Sequence, residues 1–321
     1  MSKDKKAEKL QAKVDEARAK AVETIIEMME DKGLYWVQEW TNAYGAGSLP
    51  RNGVSNRWYA GGNVLHLMAS AVANGYTDPR WFTFKQAKGL GYFPEKGSHG
   101  TMVEFYKRFK GMTDKDGNWT RDESEAERTF SYMKLVGTFT VFNANQLFDE
   151  NGEPMPSATT PEEGVTMSGE LCDVADHLIE TSRCNVYERK GEMRAFYRPD
   201  ADYIQLPSRE QFTSIEAFLT TLTHEMTHST GNELKRDMSG HFASESYAFE
   251  ELIAELGSAF TCMELGVHKT DELEADENFK NHAAYLKSWI ETLRNDRDYI
   301  FKAASQASRA ATYIVDRYKA A

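Results

Sequence analysis

A short stretch in the C-terminal half, "TLTHEMTHSTG" from Thr221 to Gly231, combines residue types and a spacing that suit a hydrolytic metal site. Residues four apart lie on one face of a helix, so His224 and His228 can direct both imidazole rings at one ion. Glu225 is turned about 100° away, which is too far to ligate beside them but suits a base. Zinc lowers the pKa of a bound water toward ~7, and such a glutamate can accept its proton. The motif therefore predicts a metal held by two histidines, with Glu225 as the catalytic residue.

The ordinary alternative to a metal site is a helix that carries surface histidines. A catalytic zinc also needs a third protein ligand besides His224 and His228. The motif begins like that of the metzincins, with Gly231 in place. Leu234 stands at the position of their third histidine, so that class is excluded. The other common solution, found in gluzincins, takes a glutamate from a following helix, and "YAFEELIAEL" offers Glu250, Glu251 and Glu255.

The helix that contains these glutamates has an apolar face and, beside it, a stripe of small residues and carboxylates. This stripe consists of Ala248, Glu251, Glu255, Ala259 and Cys262. Small residues allow a close approach to the histidine helix, which would bring carboxylates to the metal. We therefore predict Glu251 as the third ligand and Glu255 as the residue that orients a ligand histidine. Glu250 lies roughly 100° off the stripe, and we group it with Glu255 behind the ligands.

Two alternatives stay open for the third position. His241 could supply the ligand from a Gly/Ser-rich loop, or the glutamates could simply be solvated on an acidic helix. With Glu251 as the ligand, two nitrogens, one oxygen and an open fourth position suit Zn²⁺. Mn²⁺ or Ni²⁺ could occupy the same site in vitro.

The elements that must position these groups begin near residue 168. A helix is predicted over about 168–182, followed by the strands "NVYERK" and "MRAFYRPDADYIQLP". The histidine helix ends at Gly231, and the helix "SESYAFEELIAELGSAFTCMEL" and a largely helical tail follow. We expect "ADYIQLP" to be an edge strand that aligns an extended peptide by strand addition.

The N-terminal half is predicted to mix helices and strands. Residues 4–30 form an amphipathic helix that packs on the first domain, and "GNVLHLMASAVANG" forms a helix that ends at Gly75. The stretch "WFTFKQAKGLG" indicates a buried strand, including Trp81 and Phe84, that leads into a short helix. Alternating polarity makes "GTMVEFYKRF" and "KLVGTFTVFNANQLF" strands, joined by "GMTDKDGNWTRDESEAE" as a hairpin loop.

The stretch "DENGEPMPSATTPEEG" is rich in proline, glycine and acids and has no periodicity, which is typical of a linker. We therefore predict an α+β protein of two domains. Residues 1–148 form a mixed α/β domain, 149–167 the linker, and 168–321 a mainly helical domain with a small sheet.

The composition excludes several classes of protein. Hydrophobic residues make up 40% and charged residues 27% of the 321 residues, which is an ordinary globular balance. No apolar run approaches the ~18 residues that span a bilayer, and the start "MSKDKKAEKLQAK" lacks the hydrophobic core of a secretory signal. Three cysteines, an odd number without metal-like pairing, argue against a disulfide framework and predict a cytoplasmic protein.

Charge is distributed unevenly along the chain. The total is −12, yet residues 32–110 contain ten Lys and Arg against four acids, a local charge of +6. Aromatic residues alternate with these cations, and single-stranded nucleic acid is bound by that combination, because bases stack on aromatic rings while cations follow the phosphates. Gly61 and Gly62 could also permit a close backbone approach to a phosphate. The predicted DNA contacts are Arg57, Trp58, Tyr59, Asn63, Lys85, Lys88, Lys96, Tyr106, Lys107 and Arg108.

The order of several segments resembles the ArdC-like antirestriction family of plasmids and phages. The matching segments are "NRWYAGGNVLHL", "WFTFKQAKGLG", "EKGSHGTMVEFY", "VFNANQL", "YIQLP", "LTHEMTHSTG", "YAFEELIAELGSAF" and "NHAAYLKSWIETL". The resemblance implies an N-terminal single-stranded-DNA-binding domain and a C-terminal zincin-like metallopeptidase domain. The metal motif of the family carries over to His224, Glu225 and His228. The long first helix and the acidic loop Asp114–Glu127 depart from the family pattern.

This resemblance implies a protein that binds single-stranded DNA and protects incoming DNA, such as DNA that arrives by conjugation, from host restriction. One alternative is an active zinc endopeptidase, tethered to DNA, that cleaves a host protein. Another is a DNA-binding protein whose metal domain is purely structural.

Overall fold

The computed structural model describes residues 3–33, 36–37, 44, 48–158, 168–240, 244–267 and 277–321. The helices are α1 (Lys3–Lys32), α2 (Gly62–Asn74), α3 (Phe84–Gly89), α4 (Ser168–Glu180), α5 (Ile215–Ser229), α6 (Glu245–Glu264), α7 (Glu277–Asn295) and α8 (Asp298–Ala320). The strands are β1 (Arg51–Asn52), β2 (Arg80–Thr83), β3 (Phe93–Pro94), β4 (Thr101–Thr113), β5 (Trp119–Thr120), β6 (Arg128–Asn143), β7 (Leu147–Phe148), β8 (Asn185–Arg189), β9 (Phe196–Arg198) and β10 (Tyr203–Pro207). The α+β class is confirmed. Among the described residues, no helix is long and apolar enough to cross a membrane.

The N-terminal sheet has the strand order β1-β2-β6-β4-β5 and is dominated by the long antiparallel pair of β4 and β6. The predicted hairpin is confirmed, but its strands are longer than expected. They stay paired as far as Thr113 opposite Arg128, and β5 pairs with the end of β4. Lys107 and Arg108 therefore lie in the middle of β4, not at a strand end.

The predicted strand "WFTF" is only partly correct. Trp81 is fully buried, and its indole N–H donates to the hydroxyl of Tyr44. Phe84, however, is 51% exposed. The Thr83 side chain caps the N-terminus of α3 by accepting from the amide of Gln86, so the alternation of the strand stops one residue before Phe84.

The C-terminal sheet corrects one prediction. Its order is β8-β10-β9, so "YIQLP" is the central strand, paired with β8 on one side and β9 on the other. The segment 193–207 makes two strands with a turn between them, and β9, the first of the two, takes the edge. Any strand addition on this side would therefore involve β9 rather than β10.

The largest hydrophobic core is shared by both halves of the sequence. It combines α1, α2 and β2 with α6, α7 and α8, and includes Ile25, Trp81, Phe260, Trp289 and Phe301. A second core lies within the C-terminal half, and a small third one lies beneath β2 and α3. The predicted helix over residues 4–30 is confirmed as α1, but it packs on C-terminal helices as well as on the first domain.

A buried polar network joins the same elements. Arg18 donates to both carboxylate oxygens of Glu104 at 2.8 and 2.7 Å, and to Asp298 at 2.7 Å. Nε2 of His66 lies 3.2 Å from Oε1 of Glu104, and the Tyr106 hydroxyl donates to Oε2 of Glu104 at 2.6 Å. Burial would raise the pKa of Glu104, but these hydrogen bonds outweigh it and lower the pKa to about 2. The network ties α1, α2, β4 and α8 together.

Candidate metal centre and nucleic-acid surface

Helix α5 carries the histidine motif and has well-defined ends. The Ser214 side chain accepts from the amide of Ala217 at 3.1 Å and starts the helix. Beyond its C-terminus the chain turns tightly at Gly231, where a Cβ atom would meet Sδ of Met238 at 2.3 Å. The tight turn returns the chain toward the motif and brings Arg236 against it.

Helices α5 and α6 approach closely along a line of small and hydroxyl residues. Thr223 and Ser258 share a hydrogen bond of 2.8 Å, and the Ser258 hydroxyl also donates to the carbonyl of Thr220 at 2.8 Å. A Cβ atom on Gly257 would lie 2.6 Å from Thr227. The predicted close approach of small residues is therefore present, although its centre lies at Gly257 and Ser258 rather than at the alanines.

This approach brings His224, His228 and Glu251 together, with one ligand atom of each within 4.8 Å of the others. The two Nε2 atoms are 3.1 Å apart, and they lie 3.6 and 3.5 Å from the two carboxylate oxygens of Glu251. A tetrahedral ion with bonds of ~2.0–2.1 Å separates its ligand atoms by about 3.3–3.4 Å. The three residues therefore fit a divalent metal ion. The alternative ligand His241 lies outside the described residues.

Carboxylates face the other ring nitrogen of each histidine. Nδ1 of His224 lies 3.6 Å from Glu255, and Nδ1 of His228 lies 3.1 Å from Glu250. Arg236, 9% exposed, donates to both oxygens of Glu250 at 2.9 and 2.8 Å. Such partners orient a ligand histidine and select the tautomer whose Nε2 is free for a metal.

The charges around the cluster alter its proton affinities. Burial alone would lower the pKa of His224, but its hydrogen bond to Glu251 and the charges of Glu255 and Glu225 raise that pKa to about 9. The pKa of His228 is also raised, because Glu250 and Glu251 outweigh the effect of burial. A metal ion that binds here must displace protons.

Glu225 lies in the same buried cluster and is 6% exposed. Burial raises its pKa, although the nearby histidines and a backbone hydrogen bond with Tyr197 act in the opposite direction. Tyr197 belongs to β9, so the edge strand lies directly beside this carboxylate. A carboxylate with a raised pKa, next to a metal cluster, is suited to accept and return a proton.

Two residues at the centre were not predicted from the sequence. Arg236 holds the carboxylate of Glu250 in place, but the sequence around Arg236 does not indicate that the turn at Gly231 brings it back against the histidine helix. Tyr247 hydrogen-bonds to Glu251, and burial and this carboxylate raise the pKa of its phenol. Tyr247 lies four residues before Glu251 on α6, and that i, i+4 spacing could have identified it.

The loop with the first predicted DNA contacts is only partly free. Trp58 is 38% exposed, with the Arg51 guanidinium 5.7 Å from its ring, and Arg57 is exposed. Tyr59 packs against the shared core. The side-chain amide of Asn63 donates to the carbonyl of Glu104 at 2.9 Å and accepts from its amide at 2.7 Å.

The two glycines of this loop, Gly61 and Gly62, contact α8. The amide of Gly61 donates to Oγ of Ser308 at 2.8 Å, and a Cβ atom on Gly62 would lie 2.5 Å from the Phe301 ring. The small size of Gly62 therefore allows α8 to approach, and Gly61 adopts a left-handed φ of 60°, whereas a phosphate contact was expected at this position.

The remaining predicted contacts lie on two elements and a turn. Lys85 and Lys88 are exposed on α3, Lys96 is exposed in a turn, and Lys107 and Arg108 are exposed on β4. Tyr106 is 38% exposed, but its hydroxyl is bound to Glu104.

Two family models match this chain. The N-terminal domain of the anti-restriction factor ArdC matches residues 15–142, and a zincin-like metallopeptidase matches residues 173–306. Two crystal structures of the antirestriction protein ArdC from plasmid R388 align at 30% identity over 94% of this chain and 97% of theirs. The TM-score is 0.66 for the metal-free structure and 0.65 for the Mn(II)-bound one.

Curated relatives include longer proteins. The chain is 33% identical over 302 residues to two proteins named DNA primase TraC from Escherichia coli, and covers only 19% and 26% of their length. It is 32% identical over 277 residues to the uncharacterized protein y4eC of Sinorhizobium fredii, covering 86% of this chain and 83% of y4eC.

Proposed function

This chain belongs to the ArdC antirestriction family, and from that premise we propose that it binds single-stranded DNA of a plasmid or phage and protects it from host restriction. Single-stranded DNA enters a recipient cell during conjugation, so a protein already bound to it could shield it or block a nuclease. The observation that carries the proposal is the presence, on one chain, of a buried three-ligand cluster and an exposed surface of cations and aromatic rings. The odd number of cysteines, three, is in keeping with a reducing cytoplasm.

The N-terminal half supplies the DNA contacts. We retain Arg57, Trp58, Lys85, Lys88, Lys96, Lys107 and Arg108, all of which are exposed. We no longer propose Asn63, Tyr59 and Tyr106 as contacts, because their polar groups or rings are engaged within the protein. Binding should weaken with salt, since each neutralised phosphate on a single strand contributes about −0.7 to the slope of log K against log salt.

The C-terminal half holds one divalent ion, which we propose to be Zn²⁺, through His224, His228 and Glu251. Such an ion acts as a Lewis acid and makes a bound water acidic near neutral pH. Glu225 is the base that takes up and returns the proton. Glu255 and Glu250 hold the histidine rings in position. Elemental analysis of the purified protein should find about one metal per chain, and undiminished thermal stability after metal removal would count against the site.

The Glu225→Ala and His224→Ala variants separate hydrolysis from a structural role of the metal. Each variant is compared with the wild type for oligonucleotide affinity and for protection of transferred DNA in a restricting host. Loss of protection in both variants, with DNA affinity retained, would support hydrolysis of a host protein such as a restriction protein. Loss in the histidine variant alone would support a structural metal. If both variants still protect transferred DNA, protection does not depend on the metal centre.

A further inference from the structure

The antiparallel pair of β4 and β6 continues beyond the part that packs on the body of the protein. Residues 105–113 and 128–139, here called the ribbon, are almost entirely exposed or half-exposed. A register shift between Phe105 and Tyr106 marks the point at which the ribbon leaves the packed part of the sheet. Bulges of this kind re-aim the strands that follow them.

Aromatic residues form a continuous cluster on one face of the ribbon. Phe109 is directly opposite Tyr132, and their rings stack with centroids 5.9 Å apart. Phe130 is opposite Gly111, and Trp119 contacts the rings of Phe130 and Tyr132 at 5.1 and 5.2 Å. Trp119 is 64% and Phe109 38% exposed, so the cluster is open to solvent at both ends. Open aromatic rings on a protruding ribbon contribute little to its own core.

The ribbon is also basic. Its strands contain five cations and no acid: Lys107, Arg108, Lys110, Arg128 and Lys134. None of the five makes an ion pair with any residue that the structure describes. Lys107 lies directly opposite Lys134, on the same face as the aromatic cluster. Like charges at directly opposite positions destabilise a sheet, and a bound anion between them would relieve this repulsion.

The tip that joins the two strands contains Trp119, which β5 places opposite Thr113 at the end of β4, but the tip has the opposite charge. Residues 114–127 contain six acids and two cations. A phosphate chain would be repelled there, so a basic, aromatic track would end near Trp119.

We propose that this face of the ribbon is a base-stacking surface for single-stranded DNA. The cluster of Phe109, Tyr132, Phe130 and Trp119 stacks bases, and Lys107 and Lys134 bind the flanking phosphates. This assignment rests on the proposed function, but it names a surface whose main residues lie outside the contacts predicted from the sequence. A protein partner would explain the aromatic rings, but the facing lysines and the lack of acids on the two strands favour a polyanion.

The test measures the affinity of the full-length protein for a fluorescent deoxythymidine oligonucleotide. A Phe109→Ala/Trp119→Ala variant should bind at least about tenfold more weakly, because stacking on each ring contributes several-fold or more. Tyr187→Ala is the matched control, since Tyr187 is a 43% exposed strand residue with the Arg189 guanidinium 5.9 Å from its ring. The control should bind like the wild type.

A second variant guards against loss of folding. Lys107→Gln/Lys134→Gln removes exposed charges that repel each other, so thermal stability should be retained or rise while affinity falls. Photocrosslinking of the oligonucleotide to the wild type should yield peptides from residues 105–139. If the wild type binds the oligonucleotide and both variants bind it with unchanged affinity, the ribbon is not the binding surface, although the proposed DNA binding would stand. If the wild type bound no single-stranded oligonucleotide, the proposed function and the ribbon assignment would both be wrong.

Discussion

The metal centre and the ribbon are built in opposite ways. At the metal centre each histidine ring has its Nδ1 next to a carboxylate and its Nε2 next to the other ligands, and the residues are nearly inaccessible to solvent. On the ribbon the cations are exposed, and two of them face each other across the strands. The first arrangement consists of groups that contact one another inside the protein, and the second presents its charges to the solvent.

This difference reflects the two kinds of chemistry. A hydrolytic metal needs ligands held within a few tenths of an ångström, and buried partners provide that rigidity. Stacking and phosphate contacts tolerate variation, because every base has an aromatic face and every nucleotide the same charge. We therefore expect substitutions at the centre to change metal affinity and leave DNA affinity unchanged, and substitutions on the ribbon to change DNA affinity and leave metal affinity unchanged.

The largest effect should come from separating the two halves. Residues 1–148 without α6, α7 and α8 lose the C-terminal side of the shared core, the contact of Gly62 with Phe301 and the ion pair of Arg18 with Asp298. We expect this fragment to show no cooperative thermal unfolding by circular dichroism, whereas the full chain unfolds cooperatively. A fragment that melts sharply and binds oligonucleotides would show that the ribbon's half is independent of the metal half.

The buried network at Glu104 tests the same junction with one residue. Removing one partner of a buried ion pair costs about 3–5 kcal/mol, so Glu104→Ala should lower the free energy of unfolding by that amount at pH 7. The control is the exposed Glu95→Ala, which should change it by less than about 0.5 kcal/mol.

The pH dependence of that effect follows from the lowered pKa. The folded-state pKa of Glu104, about 2, is below the ordinary value near 4.5, so its contribution is fully present above pH ~4.5. It is lost as the pH falls from ~4.5 toward 2. Urea unfolding at pH 7 and pH 3 should therefore give a smaller difference between Glu104→Ala and the wild type at pH 3. An equal difference at both values would contradict the charged network.

Removing the carboxylates behind the histidines should change the free energy of metal binding by a smaller amount and leave DNA affinity unchanged. Loss of such partners weakens metal binding by about 10- to 100-fold. Glu255→Ala should fall in this range, and Glu250→Ala should cost at least as much because it also leaves Arg236 buried without its carboxylate. Competition with a chelator measures the affinity, and Glu264→Ala on the same helix is the control. A tenfold loss of oligonucleotide affinity in Glu255→Ala would break the expected separation.

The smallest effect should come from one cation on the ribbon. Lys107→Ala should make the slope of log K against log salt shallower by about 0.7, the value for one phosphate on a single strand. Lys190→Ala, an exposed lysine in the other half, should leave the slope unchanged. The slope is obtained from fluorescence titrations at several salt concentrations. An identical slope in the wild type and Lys107→Ala would remove Lys107 from the contact surface.

Local sequence was sufficient wherever a periodicity or a cap decides the structure. The sequence predicted the helix with His224 and His228, the helix with the glutamates, and the β4–β6 hairpin. In each of them the apolar residues repeat with the spacing of a helix or a strand. The grouping of His224, His228 and Glu251 also followed from helix geometry and from the small residues around Glu251. The structure brings those three residues together.

Tertiary structure decided what lies between distant segments. Local sequence does not reveal that Gly62 faces Phe301, that the Asn63 side chain hydrogen-bonds to the backbone of Glu104, or that Arg236 folds back onto Glu250. Exposure was the quantity most often misjudged, as at Phe84, because it depends on which element comes to cover a residue. A helical repeat is encoded within a few turns, whereas burial, edge position and shared cores arise only when elements far apart in the chain meet.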